Sequence, residues 1–219
     1  VKVQALIFDM DGVLVDSMPF HIRAWEQYLR TRGQNPETLL DRMHGKHNDE
    51  LVREIFGRDL PIEEVKQIGA EKEALYRELI REQLEAQLLP GLRDFLGETR
   101  LFPKAVASNA EAANVDFVLE QANLRSFFKY ALDGGMVRRG KPDPEIYLLA
   151  AEMLGAAPEQ CIVFEDSQTG IDAALAAGMR VAAINRHRVA LSGQQWEFTD
   201  FSDLALNSWR AQLHSCSVS

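Results

Sequence analysis

The sequence predicts an α/β fold: a doubly wound, mostly parallel sheet whose chain is interrupted by an inserted all-helical segment. Three observations predict it. Short apolar runs alternate with amphipathic helical patterns. The runs are apolar on successive residues rather than on every second one, as strands covered on both faces are. One long segment, residues 18–87, carries helical patterns and no strand pattern.

The first run is Ala5–Phe8 (ALIF), and polar residues follow it at once. The rhythm then breaks. In "PFHIRAWEQYL", Pro19 lies near a helix start, and Ile22, Trp25 and Leu29 share one face. "EEVKQIGAEKEALYRELIREQL" reads as a long amphipathic helix. Residues 18–87 are therefore expected to form a small helical domain inserted after the first strand, with 1–17 and 88–219 forming the α/β core. The connections, near Val15–Pro19 and Gln87–Gly91, are expected to act as hinges. The second run, Lys104–Ser108 (KAVAS), leads into a helix with Val115, Val118, Leu119 and Ala122 on one face. A helix with Ile146, Leu149, Ala150 and Met153 at i, i+3, i+4, i+7 precedes the third run, Cys161–Phe164 (CIVF). "GIDAALAAG" follows and ends in Gly178, a natural helix stop. Val181–Ile184 (VAAI) is the fourth run.

Composition narrows the function. Of 219 residues, 46% are hydrophobic, enough for a sizeable core. The formal net charge of −9 argues against a surface for nucleic-acid phosphates. The two cysteines make no disulfide framework; Cys161 lies in an apolar run and is expected in the core. No apolar run approaches the roughly 18–20 residues of a membrane span, and no leader pattern precedes the first strand. The expectation is a cytoplasmic protein that binds neither nucleic acid nor membrane and shows no sign of an obligate protein partner.

In an open parallel sheet, ligands bind beyond the carboxyl ends of the strands. Three predicted strands end there in polar residues: Asp9 and Asp11 after the first, Ser108 and Asn109 after the second, Glu165, Asp166 and Ser167 after the third. Lys141 stands ahead of Pro142 in "RGKPDPEIY". Clustered carboxylates select a hard cation such as Mg²⁺, and a lysine and a hydroxyl beside it suit a phosphoryl group. Each signal alone has an ordinary reading. "DMDG" is also a strand followed by an Asp-Gly turn, Lys141 is also a solvated side chain, and Ser108, Glu165 and Asp166 are also helix caps. The case rests on their falling in order at successive strand ends.

At these residues the sequence resembles the haloacid dehalogenase-like superfamily, in its β-phosphoglucomutase-like and phosphoglycolate phosphatase-like branch. "DMDGVLVDS" resembles the first family motif, Ser108 the second, Lys141 the third and "EDS" the fourth, and the insertion sits where the family carries a mobile cap. The resemblance implies that Asp9 is a nucleophile forming an aspartyl phosphate and that Asp11 is the acid-base group. It implies Mg²⁺ held by Asp9, the Asp11 backbone carbonyl and Asp166, with Glu165 nearby or acting through water. Ser108, Asn109 and Lys141 are implied to bind the phosphoryl group. In the cap, His21, the loop residues Gly45, Lys46, His47 and Asn48, and Lys72 are implied to face the substrate. Related mutases usually carry an arginine where Asn48 falls. The expected activity is a Mg²⁺-dependent phosphatase acting on a small phosphorylated metabolite. The alternative is a sugar-phosphate mutase of the β-phosphoglucomutase type, using the same aspartate pair. A dehalogenase characteristically lacks the second acid, and a non-catalytic relative would have lost one of Asp9, Asp11, Lys141 or Asp166.

Overall fold

The structure is a computed structural model that describes residues 2–37, 48–206 and 208–209. The chain divides into two compact units, one of Val1–Asp16 with Leu84–Ser219 and one of Ser17–Gln83.

The first unit is built on six parallel strands: β1 (Ala5–Phe8), β2 (Lys104–Ala107), β3 (Tyr130–Leu132), β4 (Cys161–Glu165), β5 (Arg180–Ile184) and β6 (Trp196–Phe198). Their order across the sheet is β3-β2-β1-β4-β5-β6. The chain winds outward from β1 to one side and then resumes beside β1 on the other, so the topological switch point lies between β1 and β4. Phe8, the last residue of β1, pairs with Val106 on one side and Phe164 on the other. Whatever follows β1 and β4 therefore emerges at the switch point.

Both faces of the sheet are covered, which is why β1, β2 and β4 are buried throughout. Ala5, Ile7, Ala105, Ala107, Val163, Val181 and Ala183 pack in one cluster with residues of the helices Glu145–Leu154 and Gln168–Ala176. Phe8 and Phe164 stack at 4.6 Å and meet Phe95 and Phe201 in an aromatic cluster. Cys161 is buried in β4, as its apolar run suggests.

Two strands carry no signal in the sequence. β3 and β6 are edge strands of three residues each, largely half-buried or exposed, and too short to display a period. The helix before β4 also differs from expectation. Its buried strip is Ile146, Tyr147, Ala150, Ala151 and Leu154, with Leu149 and Met153 only partly covered. The periodic pattern is right but the face is rotated, bringing Tyr147 inward.

The second unit is helical. Met18–Thr31, Asn48–Phe56 and Ile62–Ile80 pack around Trp25, Tyr28, Leu29, Leu51, Val52, Val65 and Ile68. The helix Leu84–Gln87, which the sequence groups with the insertion, belongs to the sheet unit. There the two chain crossings are laced together: Asp16 N–H donates to the Gln87 carbonyl at 2.8 Å, and Leu89 N–H to the Leu14 carbonyl at 3.1 Å. No helix among the described residues is long and apolar enough to cross a membrane.

Candidate active site

The strand ends deliver the sheet unit's polar residues to one place. Asp9 follows β1, Ser108 follows β2, and Glu165 closes β4 with Asp166 next. One oxygen from each of Asp9, Glu165 and Asp166 lies within 4.8 Å of the others. Lys141 Nζ enters this group, donating to Asp9 Oδ1 at 2.5 Å and to Glu165 Oε1 at 2.7 Å. Asp9, Glu165 and Lys141 are buried. The arrangement sets one ammonium against three carboxylates and leaves negative charge uncompensated.

The electrostatics follow from that imbalance. Burial pushes the Asp9 carboxyl up to about 7, Lys141 opposes the shift, and Glu165 and Asp11 add to it. Burial likewise raises Asp166 well above its ordinary value, with Glu165 and Asp9 reinforcing the effect. Burial works to raise Glu165 too. The charge and hydrogen bond of Lys141, with help from Ser167 and Tyr147, bring it below the usual range instead. For Lys141 burial pulls down, but Asp9 and Glu165 more than offset it and hold the ammonium charged.

Glu165 is the hub of the site. Its Oε1 accepts from Lys141 Nζ and from the Tyr147 hydroxyl at 2.8 Å. Its Oε2 accepts from the Asp166 and Ser167 backbone N–H groups at 2.9 and 3.0 Å and from Ser167 Oγ at 3.0 Å. Protein donors already occupy the lone-pair directions of this carboxylate. Among the described residues Asp9 and Asp166 show no such set of bonds, so of the three they are the groups that could hold a cation. The Asp11 side chain is not part of this close group among the described residues.

Ser108 is buried, and its Oγ accepts from Ala110 N–H at 3.1 Å. Asn109 has a task its position in the sequence does not announce: its Oδ1 accepts the Lys141 backbone N–H at 3.0 Å. This bond ties the loop carrying the lysine to the end of β2. Two glycines permit the close packing. Gly12 has φ +77°, and a Cβ there would overlap the Asp166 carboxylate; a Cβ at Gly170 would overlap Glu165. Neither glycine is legible as a site residue from sequence, because the need for each arises from a neighbour more than a hundred residues away or across a helix turn.

Gly12→Ala is therefore expected to lose on both counts. The left-handed backbone costs about 1–2 kcal/mol for a residue with a Cβ. The added methyl also displaces Asp166, so divalent-cation affinity should fall on the order of 10- to 100-fold, the usual consequence of disturbing the support of a ligand. Calorimetric Mg²⁺ titration of both proteins checks this, and unchanged affinity contradicts it.

The helical unit holds a second buried polar cluster. Lys72, which an acidic helix would ordinarily leave in water, is 1% exposed. Its Nζ lies 2.9 Å from His21 Nδ1 and 2.7 Å from Glu73 Oε1, and 5.4 Å from the Trp25 ring centroid. The Asn48 side-chain amide donates to the same Glu73 oxygen. The His21 ring stacks on Tyr76 with centroids 3.8 Å apart. The structure thus brings His21, Asn48 and Lys72 together and adds Glu73 and Tyr76, which the sequence does not mark out. Gly45, Lys46 and His47 lie outside the described residues.

Known proteins resemble this chain in sequence and fold. Residues 3–178 match the haloacid dehalogenase-like hydrolase family. A phosphorylated carbohydrates phosphatase from Thermotoga maritima is 33% identical over 184 residues, 81% of this chain and 82% of that protein. A β-phosphoglucomutase from Bacillus subtilis is 29% identical over 215 residues, covering 93% of this chain and 92% of its own length. Among solved structures, a HAD hydrolase of family IA, variant 3, from Entamoeba histolytica superposes with a TM-score of 0.83 at 26% identity, covering 97% of this chain and 100% of that one.

Proposed function

The chain belongs to the haloacid dehalogenase-like hydrolase family, and from that premise we propose that it is a Mg²⁺-dependent phosphatase of a small phosphorylated metabolite, working through an aspartyl phosphate on Asp9. The observation that carries this reading is the buried Asp9 carboxylate, held at 2.5 Å by the Lys141 ammonium beside Asp166 at the switch point of the sheet.

An Asp9 carboxylate oxygen attacks phosphorus, and the bond from phosphorus to the ester oxygen breaks. Asp11 gives that oxygen a proton as it leaves. Asp11 then takes a proton from water, the water oxygen attacks the phosphoryl group, and Asp9 is released as a carboxylate with inorganic phosphate. Lys141 and Ser108 bind phosphoryl oxygens, with backbone N–H groups around Asp11 and Asn109. Lys141 also offsets the repulsion between a carboxylate and a phosphate dianion.

The donor set fits a hard cation: it is all oxygen, and one ammonium leaves its carboxylates underneutralised. Asp9, Asp166 and the Asp11 carbonyl would hold the ion, which supplies further cancellation of charge on the reacting group.

Hydrolysis is favoured over mutase chemistry by the helical unit's own cluster. A mutase of this kind has to hold a bisphosphate. Here Asn48 stands in place of the arginine usual in related mutases, and its amide is engaged by Glu73. The Lys72 ammonium is offset by the same carboxylate. Among the described residues, this cluster therefore carries little surplus positive charge. Phosphate release from a panel of phosphorylated sugars and sugar alcohols, with and without chelator, tests the reading. Mg²⁺-dependent release is expected. Full turnover by metal-free protein in chelator contradicts the role of the ion. Glucose 1,6-bisphosphate-primed isomerisation faster than phosphate release contradicts hydrolysis.

The site also sets a pH dependence. The raised pKa of Asp9 and Asp166 means that these groups destabilise the metal-free fold once pH rises above the ordinary carboxylate value of 3.8, for Asp9 increasingly up to about 7. Between about pH 5.5 and 8 the contributions of Glu165 and Lys141 change little, since the first is lowered from 4.5 and the second raised from 10.5. Metal-free protein should thus melt at a higher temperature near pH 5.5 than near pH 8, and Mg²⁺ should stabilise it more at the higher pH, by roughly the protons it displaces. Melting curves at both pH values, with and without Mg²⁺, check the sign; stabilisation that is stronger in acid contradicts it.

A further inference from the structure

The steps above make no use of Tyr147, although it touches both groups that frame the nucleophile. Its hydroxyl donates to Glu165 Oε1 at 2.8 Å, the same oxygen that accepts from Lys141 Nζ at 2.7 Å. Its ring lies beneath the ammonium, 4.7 Å from Nζ to centroid. A lysine head is a compact charge with three donors on a flexible four-carbon stem, so its direction has to be imposed from outside. The Asn109 side chain fixes the lysine backbone. Asp9 Oδ1 and Glu165 Oε1 each take a bond from the ammonium. The Tyr147 ring bounds one side of it, leaving its remaining donor to be directed elsewhere.

We propose that Tyr147 is a positioning residue for phosphoryl transfer, acting through Lys141: its hydroxyl fixes the Glu165 oxygen on which the ammonium rests, and its ring stops the ammonium from swinging away from Asp9. The inference rests on the phosphatase reading, in which Lys141 meets phosphoryl oxygens. It differs from a packing role in one respect. Tyr147 sits in the sheet's apolar cluster, and packing alone would be served as well by phenylalanine. A positioning role needs the hydroxyl.

Tyr147→Phe keeps the ring and nearly all the volume while removing the bond to Glu165. Hydrogen bonds to charged groups are worth enough that kcat should fall about 10- to 30-fold. KM should stay within about twofold, since ground-state binding does not depend on the last ångström of ammonium placement. Vanadate, which adopts the five-coordinate geometry of the transferring phosphoryl group, should lose affinity by the same factor as kcat. Inorganic phosphate should not. Assays run well below the melting temperature of each protein separate these effects from unfolding. A variant with wild-type kcat and vanadate affinity overturns the inference. So does a variant in which kcat, phosphate affinity and melting temperature all decline together, because that is the mark of a hydrogen bond that supports the fold as a whole rather than the placement of the ammonium. Wild-type protein that releases no phosphate from any substrate overturns the phosphatase reading and this inference with it, whereas active wild type with an indifferent variant overturns the inference alone.

Discussion

Asp9→Asn is expected to give a folded protein with no detectable turnover and no phosphoenzyme. Asparagine has almost the same shape, but its amide lacks the charge and lone pair needed to attack phosphorus. Structural loss should be small, because the substitution removes a buried carboxylate that burial itself disfavours. The contrast with Asp11 is the informative part. Asp11→Asn keeps the nucleophile and the backbone carbonyl, so Mg²⁺ should still bind. Turnover should slow by roughly 10²–10⁴-fold, the usual worth of general acid-base help. A substrate with a very good leaving group needs little protonation. It should restore phosphorylation of Asp11→Asn but not release of phosphate, and the phosphoenzyme should accumulate. Burst kinetics with p-nitrophenyl phosphate distinguish the two variants. Equal losses in both, with no accumulation in either, contradict the division of roles.

Lys141→Met should be the most damaging change to the site as a whole. The lysine holds Asp9 and Glu165 at 2.5 and 2.7 Å, and removing it leaves two buried carboxylates facing one another without a cation. Breaking a buried pair by deleting one partner costs on the order of 3–5 kcal/mol. The cost depends on pH. In acid the carboxylates take up protons and the loss is small; as pH rises they must ionise against each other and the loss grows. Chemical denaturation of metal-free protein near pH 5 and near pH 8 should show this divergence. Activity should fall by about 10²–10³-fold or more, since a preorganised charge on the transferring group is lost. Mg²⁺ should partly restore stability and not activity. A variant equally stable at both pH values contradicts the account of the buried charge.

Much of this was legible because the fold and the site share one signal. A continuous apolar run that ends abruptly in acids, as at Phe8–Asp9 and Phe164–Glu165, marks a buried parallel strand and its ligand-facing end together. The edge strands Tyr130–Leu132 and Trp196–Phe198 have no such run, and their pairing is supplied by a neighbour already in place. Tyr147 is invisible for a different reason. The pattern Ile146, Leu149, Ala150, Met153 describes a correct helix, but composition does not say which side of a largely apolar helix meets the sheet. Gly12 and Gly170 are required by the approach of Asp166 and Glu165, which only the folded chain brings near. Lys72 and Glu73 look like ordinary members of a charged helix until the helical unit closes around them.

The central claim is that phosphorus passes through a bond to Asp9. Acid quenching of the enzyme during turnover, followed by proteolysis and mass spectrometry of the peptide that contains both Asp9 and Asp11, tests it most directly. The account predicts an acid-stable, base-labile phosphoryl group on Asp9 in wild type, more of it in Asp11→Asn, and none in Asp9→Asn. A phosphoryl group on Asp11, or one that persists in Asp9→Asn, contradicts it.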